Sequence, residues 1–385
     1  MRDHTLSLFE STFGARAKAY AQAPGRLEIL GNHTDYNEGF VLSTAIDRFT
    51  YIALRECEAT TCRVISPGVE KSVRSFDLNE LEERPQKKDW LNYVKGIVRE
   101  FKKRDFEVRG FEAAILSSIP LSAGMSSSAS LEVAIIKGLC ELMDFEIDLQ
   151  EMAKMGQGCE NHTIGTNTGL MDQLTSLAGQ KDCFVWSEYR NLEWKVVNVP
   201  KNLALVVFNS GVRHDLSQEY NERREQCETS LEILKTFYPE IQSLRDVSLE
   251  ELKAQRPHFP DLLYRRALHV VGENERVSFA IESLEKKQTA EFLNLLFDSH
   301  RSSRKNFENS CAELDELVDL AQRSPSCYGA RLSGGGFGGI SIHLVDRSEA
   351  EAYQHWLKEA FEKVYGFVPE AFICQSAQGA LSEKI

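Results

Sequence analysis

The sequence lacks any apolar run near the roughly 20 residues that a membrane-spanning helix needs. Its longer apolar stretches, such as residues 203–208, have the length of a strand. No charged segment followed by an apolar segment comes after Met1, so no secretory leader is indicated. The nine cysteines include no CxxC pair, which argues against a zinc site and a disulfide framework. We therefore expect a soluble, cytoplasmic protein with reduced thiols.

Positively charged residues are outnumbered by negatively charged ones. The 45 Lys and Arg residues stand against 58 Asp and Glu residues, which gives a formal net charge of −13. Such a field repels polyanions, so we expect neither nucleic acid nor an anionic membrane as a partner. A phosphorylated ligand would have to be bound by local groups.

The length of 385 residues is large for one core and indicates two domains, which we place at 1–200 and 201–385. Residues 23–39 are interpreted as a polar loop that precedes an extended apolar stretch ending in a strand at 51–54. Helical spacing predicts helices at 90–101, 131–142, 151–162, 170–177 and 218–234. Short apolar runs predict strands at 111–117, 203–209, 330–332 and 339–344.

Residues 120–130 read PLSAGMSSSAS and lie between a predicted strand and a predicted helix. Small residues let backbone N–H groups approach a phosphate, and the N-terminus of a helix adds partial positive charge. The segment contains neither the GK[ST] of a Walker A motif nor a GxGxxG pattern. On mechanism alone, phosphate binding and an ordinary turn both remain open.

A second segment, residues 23–39, concentrates hydrogen-bonding side chains, which suits a ligand rich in hydroxyl groups. Its polar residues are Arg26, Glu28, Asn32, His33, Asp35 and Tyr36. The alternative is a solvated loop. His33 and Asp35 alternate as residues of an extended segment do, so we expect both on one face. A third segment, TGLMDQ at 168–173, places Asp172 near the start of a helix, where it could also be a cap.

These segments together resemble the signature motifs of the GHMP small-molecule kinases, most closely those of galactokinases. GNHTDY at 31–36 is similar to the family's G-E-H-x-D-Y, and residues 120–129 are similar to P-x-G-x-G-[LM]-S-S-S-A. GGGFGG stands intact at 334–339. The likeness continues through WLNYVKG (90–96), MDQ (171–173), VRH (212–214), EY (219–220) and SHRS (299–302). It therefore covers nearly the whole chain in the family's order.

The resemblance implies an α+β, two-domain GHMP kinase fold with ATP and Mg²⁺ bound between the domains. The N-terminal domain would be like domain 2 of ribosomal protein S5, and the C-terminal domain would be ferredoxin-like. Trp90 would lie near adenine, while Ser128 and Glu160 would hold Mg²⁺. The ATP phosphates would contact Ser122, Ala123, Gly124, Met125, Ser126, Ser127 and Ser128. GGGFGG would close the site near the phosphates, although a tight turn between strands is its simpler interpretation.

The same resemblance implies a sugar-1-kinase in which Asp172 accepts the proton of the anomeric hydroxyl. Arg26 would orient Asp172 and offset charge on the transferring phosphoryl group, as the chemistry of a weak hydroxyl nucleophile requires. The small-molecule sugar would be bound by Asn32, His33, Asp35, Gly169 and Tyr220.

Two residues depart from the family's R-x-N-L-I-G-E-H pattern. Glu28 replaces its Asn, and Asn32 replaces its Glu, which in galactokinases contacts the C6 hydroxyl of the sugar. A neutral amide at 32 would not repel a C6 carboxylate. We expect galactose as the substrate, with galacturonate as the alternative. A non-catalytic, sugar-sensing regulatory protein is the alternative of another class.

Overall fold

The computed structural model describes residues 1–57, 59–81, 89–120, 124–212 and 217–385, with residue 217 described by its backbone alone. Helices and strands are mixed along the chain, so the expected α+β class is confirmed. The strands are β1 (Ala19–Leu30), β2 (Phe40–Glu56), β3 (Thr61–Ser66), β4 (Glu70–Asp77), β5 (Phe111–Ser117), β6 (Cys183–Glu188), β7 (Glu193–Asn198), β8 (Leu203–Asn209), β9 (Cys327–Ser333), β10 (Ile340–Asp346), β11 (Ala371–Cys374) and β12 (Leu381–Lys384).

The helices include all those expected from apolar spacing, so these predictions are confirmed. They are α1 (Arg2–Phe13), α2 (Leu91–Lys102), α3 (Ser127–Met143), α4 (Leu149–Gly158), α5 (Met171–Ala178), α6 (Ser217–Lys235), α7 (Leu249–Ala254), α8 (Asp261–Glu285), α9 (Thr289–Ser302), α10 (Ala312–Ala321) and α11 (Ala350–Tyr365). Within the described residues, no helix combines the length and the apolar character that crossing a membrane requires.

Within the described residues, the larger sheet has eight strands in the order β12-β1-β2-β5-β3-β4, with β6 paired to β2 and β7 paired to β6. All pairs are antiparallel except β3 with β5. Helices α3 and α5 pack on β1 and β2, so the N-termini of both helices are carried to one end of this sheet. Their apolar sides enter a core that includes Ile135, Leu139 and Leu174.

The interpretation of residues 23–30 as a loop is wrong, because β1 runs through them. Their polar side chains are buried and bonded to distant elements: Arg26 to Asp172, and Glu28 to Arg331. A register shift between Pro24 and Arg26 interrupts the pairing of β1 with β2. At this shift the backbone N–H of Arg26 donates to the Met125 carbonyl at 3.2 Å. This bond holds the segment around Met125 against the strand.

The smaller sheet is antiparallel, in the order β11-β8-β10-β9. It shares a core with β1, since Leu27 and Ile29 pack in one cluster with Leu205 and Ile342. The last strand, β12, returns to pair with β1. The division at residue 200 stays a prediction. The shared core explains how β1 and the turn before β10 come together at one place.

Candidate active site

A cavity of about 300 Å³ lies where β1, the first turns of α3 and α5, and the turn between β9 and β10 meet. It brings together most of the site residues expected from the sequence, although they come from widely separated parts of the chain. Those that line it are Arg26, Asn32, His33, Asp35, Gly124, Ser126, Ser127, Ser128, Glu160, Gly169, Asp172 and Tyr220. Five glycines of GGGFGG, which we call the glycine loop (residues 334–339), also line it.

Two of the residues expected at ATP, Trp90 and Met125, are described but do not line this cavity. Trp90 packs against the core of the larger sheet, and its indole N–H donates to Glu70 Oε2 at 3.2 Å. Met125 buries its side chain in the core shared by the two sheets. Ser122 and Ala123 lie outside the described residues. Contact of these four residues with ATP stays a prediction.

Arg26 and Asp172 form a bidentate ion pair at the cavity wall. Arg26 Nε donates to Asp172 Oδ1 at 2.8 Å, and Nη2 donates to Oδ2 at 3.0 Å. The third nitrogen, Nη1, donates to the Gly124 carbonyl at 2.8 Å. Burial by itself would lower the pKa of Arg26, but the adjacent Asp172 carboxylate outweighs it and raises that pKa. The guanidinium therefore stays charged and links Asp172 to the start of α3.

Asp172 is the second residue of α5, so its carboxylate lies where the N-terminus of that helix adds partial positive charge. Ser126 Oγ also donates to Asp172 Oδ2. Ser126 has a φ of 54°, and α3 begins at the next residue. Although these contacts fix the carboxylate, the Asp172 side chain keeps 26% of its surface exposed, against 6% for Arg26. A ligand in the cavity can therefore reach it.

Ser128 and Glu160 meet at the same wall. Ser128 Oγ donates to Glu160 Oε1 at 3.1 Å, and Thr168 Oγ1 donates to Oε2. Glu160 lies in a π-helical segment, Cys159–Ile164, that follows α4. Burial, followed by the charge of Asp172, raises the pKa of Glu160 to about 7. A cation next to Glu160 would offset both effects.

The donor set of this pair fits Mg²⁺. A hydroxyl and a carboxylate are hard oxygen ligands, and Mg²⁺ is usually held by few protein groups together with phosphate and water. The described residues contain no group of three or more His, Cys, Asp and Glu side chains that could hold a metal ion by themselves.

His33 and Asp35 line the cavity, but not as neighbours on an extended face, so that expectation is wrong. His33 has a φ of 61°, and Asp35 begins a 3₁₀ turn. The turn is tight because Thr34 Oγ1 donates to the Gly31 carbonyl at 2.7 Å. His33 Nδ1 lies 2.8 Å from the Tyr36 hydroxyl, and Nε2 lies 3.0 Å from the Gly335 carbonyl. Burial lowers the pKa of His33 to about 4, so the ring is neutral at pH 7.

The Asp35 carboxylate lies directly against Gly169 in the wall of the cavity. A Cβ at position 169 would lie 1.7 Å from Asp35 Oδ2, so any side chain there would displace the carboxylate. Burial raises the pKa of Asp35 to about 7. Tyr220 completes this side, with its ring centroid 4.9 Å from that of His33. The expected sugar ligands are thus assembled from three separate parts of the chain.

Two groups that were not expected from the sequence, Arg331 on β9 and Glu273 on α8, hold β1 and this turn in place. Arg331 Nη2 pairs with Glu28 Oε1 at 2.8 Å, and both side chains are buried. Glu273 Oε2 accepts the backbone N–H groups of Gly31 and Asn32, each at 3.0 Å. The departure at Glu28 was the one available signal. Glu273 and Arg331 lie in an ordinary helix and strand far along the chain, where no local pattern marks them.

Family models match the chain in three places. A model described as the galactokinase galactose-binding signature matches residues 7–56, which contain β1 and the turn after it. The model of the GHMP kinase N-terminal domain matches residues 92–180, and that of the C-terminal domain matches residues 280–363. These three ranges contain Arg26, Asp172 and the glycine loop.

Whole-chain comparisons agree with the models. The galactokinase of Roseiflexus sp. (strain RS-1) is 36% identical over 373 residues, which are 96% of this chain and 94% of that protein. The galactokinase of Chloroflexus aggregans (strain MD-66 / DSM 9485) is 36% identical over 372 residues, 96% of this chain and 95% of that protein. The crystal structure of Lactococcus lactis galactokinase complexed with galactose matches with a TM-score of 0.92 at 32% identity, covering 98% of each chain.

Proposed function

This chain belongs to the galactokinase family of GHMP kinases, and from that membership we propose that it transfers the γ-phosphoryl group of ATP to the anomeric hydroxyl of galactose. The products are galactose 1-phosphate and ADP. The observation that carries the proposal is the Arg26–Asp172 ion pair, exposed to the cavity at the start of α5 and bonded to the start of α3.

Asp172 is the general base of this proposal. A sugar hydroxyl is a weak nucleophile at neutral pH, so a carboxylate that accepts its proton as attack proceeds lowers the barrier. Asp172 Oδ2 accepts from both Arg26 and Ser126, whereas Oδ1 accepts from Arg26 alone within the described chain. A carboxylate oxygen can accept two hydrogen bonds, so Oδ1 has room for the anomeric O–H.

Arg26 orients this base and balances charge. Its two bonds to Asp172 fix the plane of the carboxylate, and its bond to the Gly124 carbonyl fixes the distance between the base and the start of α3. The N-terminus of α3 adds partial positive charge where phosphate oxygens would lie. Because the guanidinium is nearly buried, water screens its charge little.

Mg²⁺ bound with ATP would be held by Ser128 Oγ and Glu160, and it would neutralise phosphate charge. The 3.1 Å contact between these two side chains at the cavity wall supports this assignment. The sugar would lie on the other side of Asp172, against His33, Asp35, Gly169 and Tyr220. His33 is buried and Asp35 is partly buried, so little water competes there for the sugar hydroxyls.

The test is a phosphorylation screen of the purified chain with Mg²⁺ and ATP over galactose, galacturonate, N-acetylgalactosamine and glucose. We expect ADP release and a sugar 1-phosphate with galactose, and much slower turnover with glucose, whose C4 hydroxyl has the other configuration. Preference for galacturonate would support the alternative substrate that the neutral Asn32 permits. Galactose binding without ADP release would contradict the kinase and favour a sugar-sensing protein.

A further inference from the structure

Asn32 lines the cavity, yet its side chain is already bonded to the protein. Its Nδ2 donates both hydrogens, one to Glu28 Oε1 at 3.0 Å and one to the Gly334 carbonyl at 2.8 Å. Its Oδ1 accepts from Asn309 Nδ2 at 2.8 Å, with Ser303 Oγ at 3.5 Å. An amide has two donors and one oxygen that accepts two bonds, so this side chain has no unused capacity. Asn32 is also only 1% exposed.

The other ends of these bonds lie on the glycine loop and on the segment that supports it. The Gly335 carbonyl lies 3.0 Å from His33 Nε2 and accepts from Asn309 Nδ2 at 3.2 Å. The Asn309 carbonyl in turn accepts the backbone N–H of Phe337 at 2.6 Å. Asn32 therefore joins the turn after β1 to the loop between β9 and β10.

Glu28 orients the amide of Asn32 in this arrangement. Its Oε1 lies between Asn32 Nδ2 at 3.0 Å and Arg331 Nη2 at 2.8 Å. Glu28 is 2% exposed and Arg331 is fully buried, so their opposite charges compensate each other in the core. With the carboxylate held on one side, the second hydrogen of Asn32 points at the Gly334 carbonyl.

The loop edge that Asn32 holds lies beside the catalytic pair. A Cβ on Gly334 would lie 3.5 Å from Arg26 Nη2 and 3.9 Å from the Gly124 carbonyl. Gly334 has a φ of 84°, which a non-glycine residue rarely adopts. Because glycine is conformationally free, its own backbone does not hold this edge of the loop in one conformation, and a contact from outside the loop is needed to fix it. Movement of the edge would alter the wall next to Arg26 and the start of α3.

We propose that Asn32 is a positioning residue, oriented by Glu28, that holds the glycine loop in place for ATP rather than a ligand of the sugar. The proposal rests on the proposed kinase function, and it competes with the expectation that Asn32 reads the C6 substituent. It predicts that changes at Asn32 affect ATP use and leave discrimination among sugar hydroxyls unchanged.

The test uses variants of the full chain in which the side chain is replaced by an isosteric one: Asn32→Asp, Glu28→Gln and the double variant. Asn32→Asp removes the donor to Gly334 and places a carboxylate beside Glu28, so both thermal stability and ATP use should fall. In the double variant the two carboxylates no longer face each other, and the introduced aspartate restores a negative charge near Arg331. The melting temperature of the double variant should recover, while the donor to Gly334 remains absent.

We expect KM for ATP to rise, or kcat to fall, by about five- to tenfold in both variants that carry Asn32→Asp, the size of one lost hydrogen bond. Glu28→Gln should lower stability with a smaller kinetic effect. A role in stability alone predicts that the kinetics recover together with the melting temperature in the double variant, and that result would overturn the proposal.

Mono-deoxygalactoses provide the second measurement. The ratio of kcat/KM for galactose to that for 6-deoxygalactose should be the same in the wild type and in Asn32→Asp. A ratio that collapses towards one would mean that Asn32 contacts the C6 hydroxyl, which contradicts the proposal. Asn309→Ala, which removes the donor to Asn32 and Gly335, should reproduce the ATP defect and provides the test if Asn32→Asp does not fold.

Affinity for a non-hydrolysable ATP analogue, titrated without sugar, separates this proposal from the proposed function. Weaker binding by the two variants that carry Asn32→Asp is expected whichever sugar the wild type phosphorylates. Unchanged ATP affinity and unchanged kcat in Asn32→Asp and Asn309→Ala would refute the positioning role, even if the wild type is a galactokinase.

Discussion

Two regions at the cavity differ in how far their polar side chains are occupied by the protein itself. On the catalytic side, Asp172 is 26% exposed, and one of its oxygens accepts a single hydrogen bond within the described residues. In the network that holds the glycine loop, Asn32, Glu28 and Arg331 are at most 2% exposed, and the Asn32 amide is fully bonded.

This difference separates groups that perform chemistry from groups that hold shape. A general base must have a free lone pair and must be accessible to its substrate, so its side chain stays partly exposed to water. A buried network is rigid only when its members are satisfied by one another, and it then has little left to offer a ligand. Lining a cavity is therefore weak evidence of ligand contact, and the number of unused donors and acceptors is a better guide.

The largest expected effect follows from removing the base. Asp172→Asn keeps the size of the side chain but removes its ability to take a proton, so kcat should fall by about two to four orders of magnitude. Steady-state turnover of galactose measures this, with the melting temperature as a check of folding. Asp298→Asn, at a surface carboxylate that pairs with Arg301 on α9, is the matched control and should keep full activity. An Asp172→Asn variant with near-normal turnover would contradict the assignment.

Much of this catalytic side could be predicted from the sequence, because its residues lie in short motifs. Asp172 in TGLMDQ, and Ser126 and Ser128 in the segment before α3, were identified by local pattern and family resemblance. The strand at residues 23–30 could not be, because Arg26 and Glu28 look like loop residues until their partners are known. Those partners, Asp172 and Arg331, lie far along the chain, and only the fold brings them together.

A smaller effect is expected at Glu160 and Ser128. Their oxygens are bonded within the protein but line the cavity, where a cation could also bind them. Glu160→Gln should raise the Mg²⁺ concentration needed for half-maximal activity by about ten- to a hundredfold. Ser128→Ala should have a weaker effect, since Ser126 and Ser127 lie next to it. Galactose affinity, measured by titration without nucleotide, should stay unchanged. Unaltered Mg²⁺ dependence in both variants would refute the ligand assignment.

The substitution Gly169→Ala tests whether the part of the cavity proposed to bind the sugar is closely packed around Asp35. In Gly169→Ala the new Cβ would lie 1.7 Å from Asp35 Oδ2, so the carboxylate must move away from its place in the cavity. Overpacking of this kind costs about 1–3 kcal/mol, and KM for galactose should rise by about tenfold. Gly68→Ala, where a Cβ meets nothing within 4 Å, is the matched control. An unchanged KM would mean that Asp35 does not contact the sugar.

The smallest effect is one on protein stability, and it concerns a buried carboxyl group that is bonded to the residue after Asp172. Glu132 on α3 is fully buried, and its Oε2 accepts from Gln173 Nε2 at 2.9 Å, next to Asp172 in sequence. Within the part of the chain that the structure describes, Glu132 Oε1 and Gln173 Oε1 have no hydrogen-bond partner. Burial and the nearby Glu160 raise the pKa of Glu132 well above its ordinary value.

The sign of the resulting pH dependence follows from that shift. The unfolded chain releases the Glu132 proton near its ordinary pKa of 4.5, whereas the folded chain keeps it. Stability is therefore lost as the pH rises above the unfolded pKa, and the loss continues until the folded pKa is reached. Glu132→Gln removes this dependence, and the new amide can donate to Gln173 Oε1. The variant should match the wild type most closely near pH 5 and be the more stable of the two at pH 8. Thermal unfolding at both pH values measures the difference, with exposed Glu250→Gln as the control. Equal stability of Glu132→Gln and the wild type at pH 8 would show that the buried carboxyl carries no such penalty.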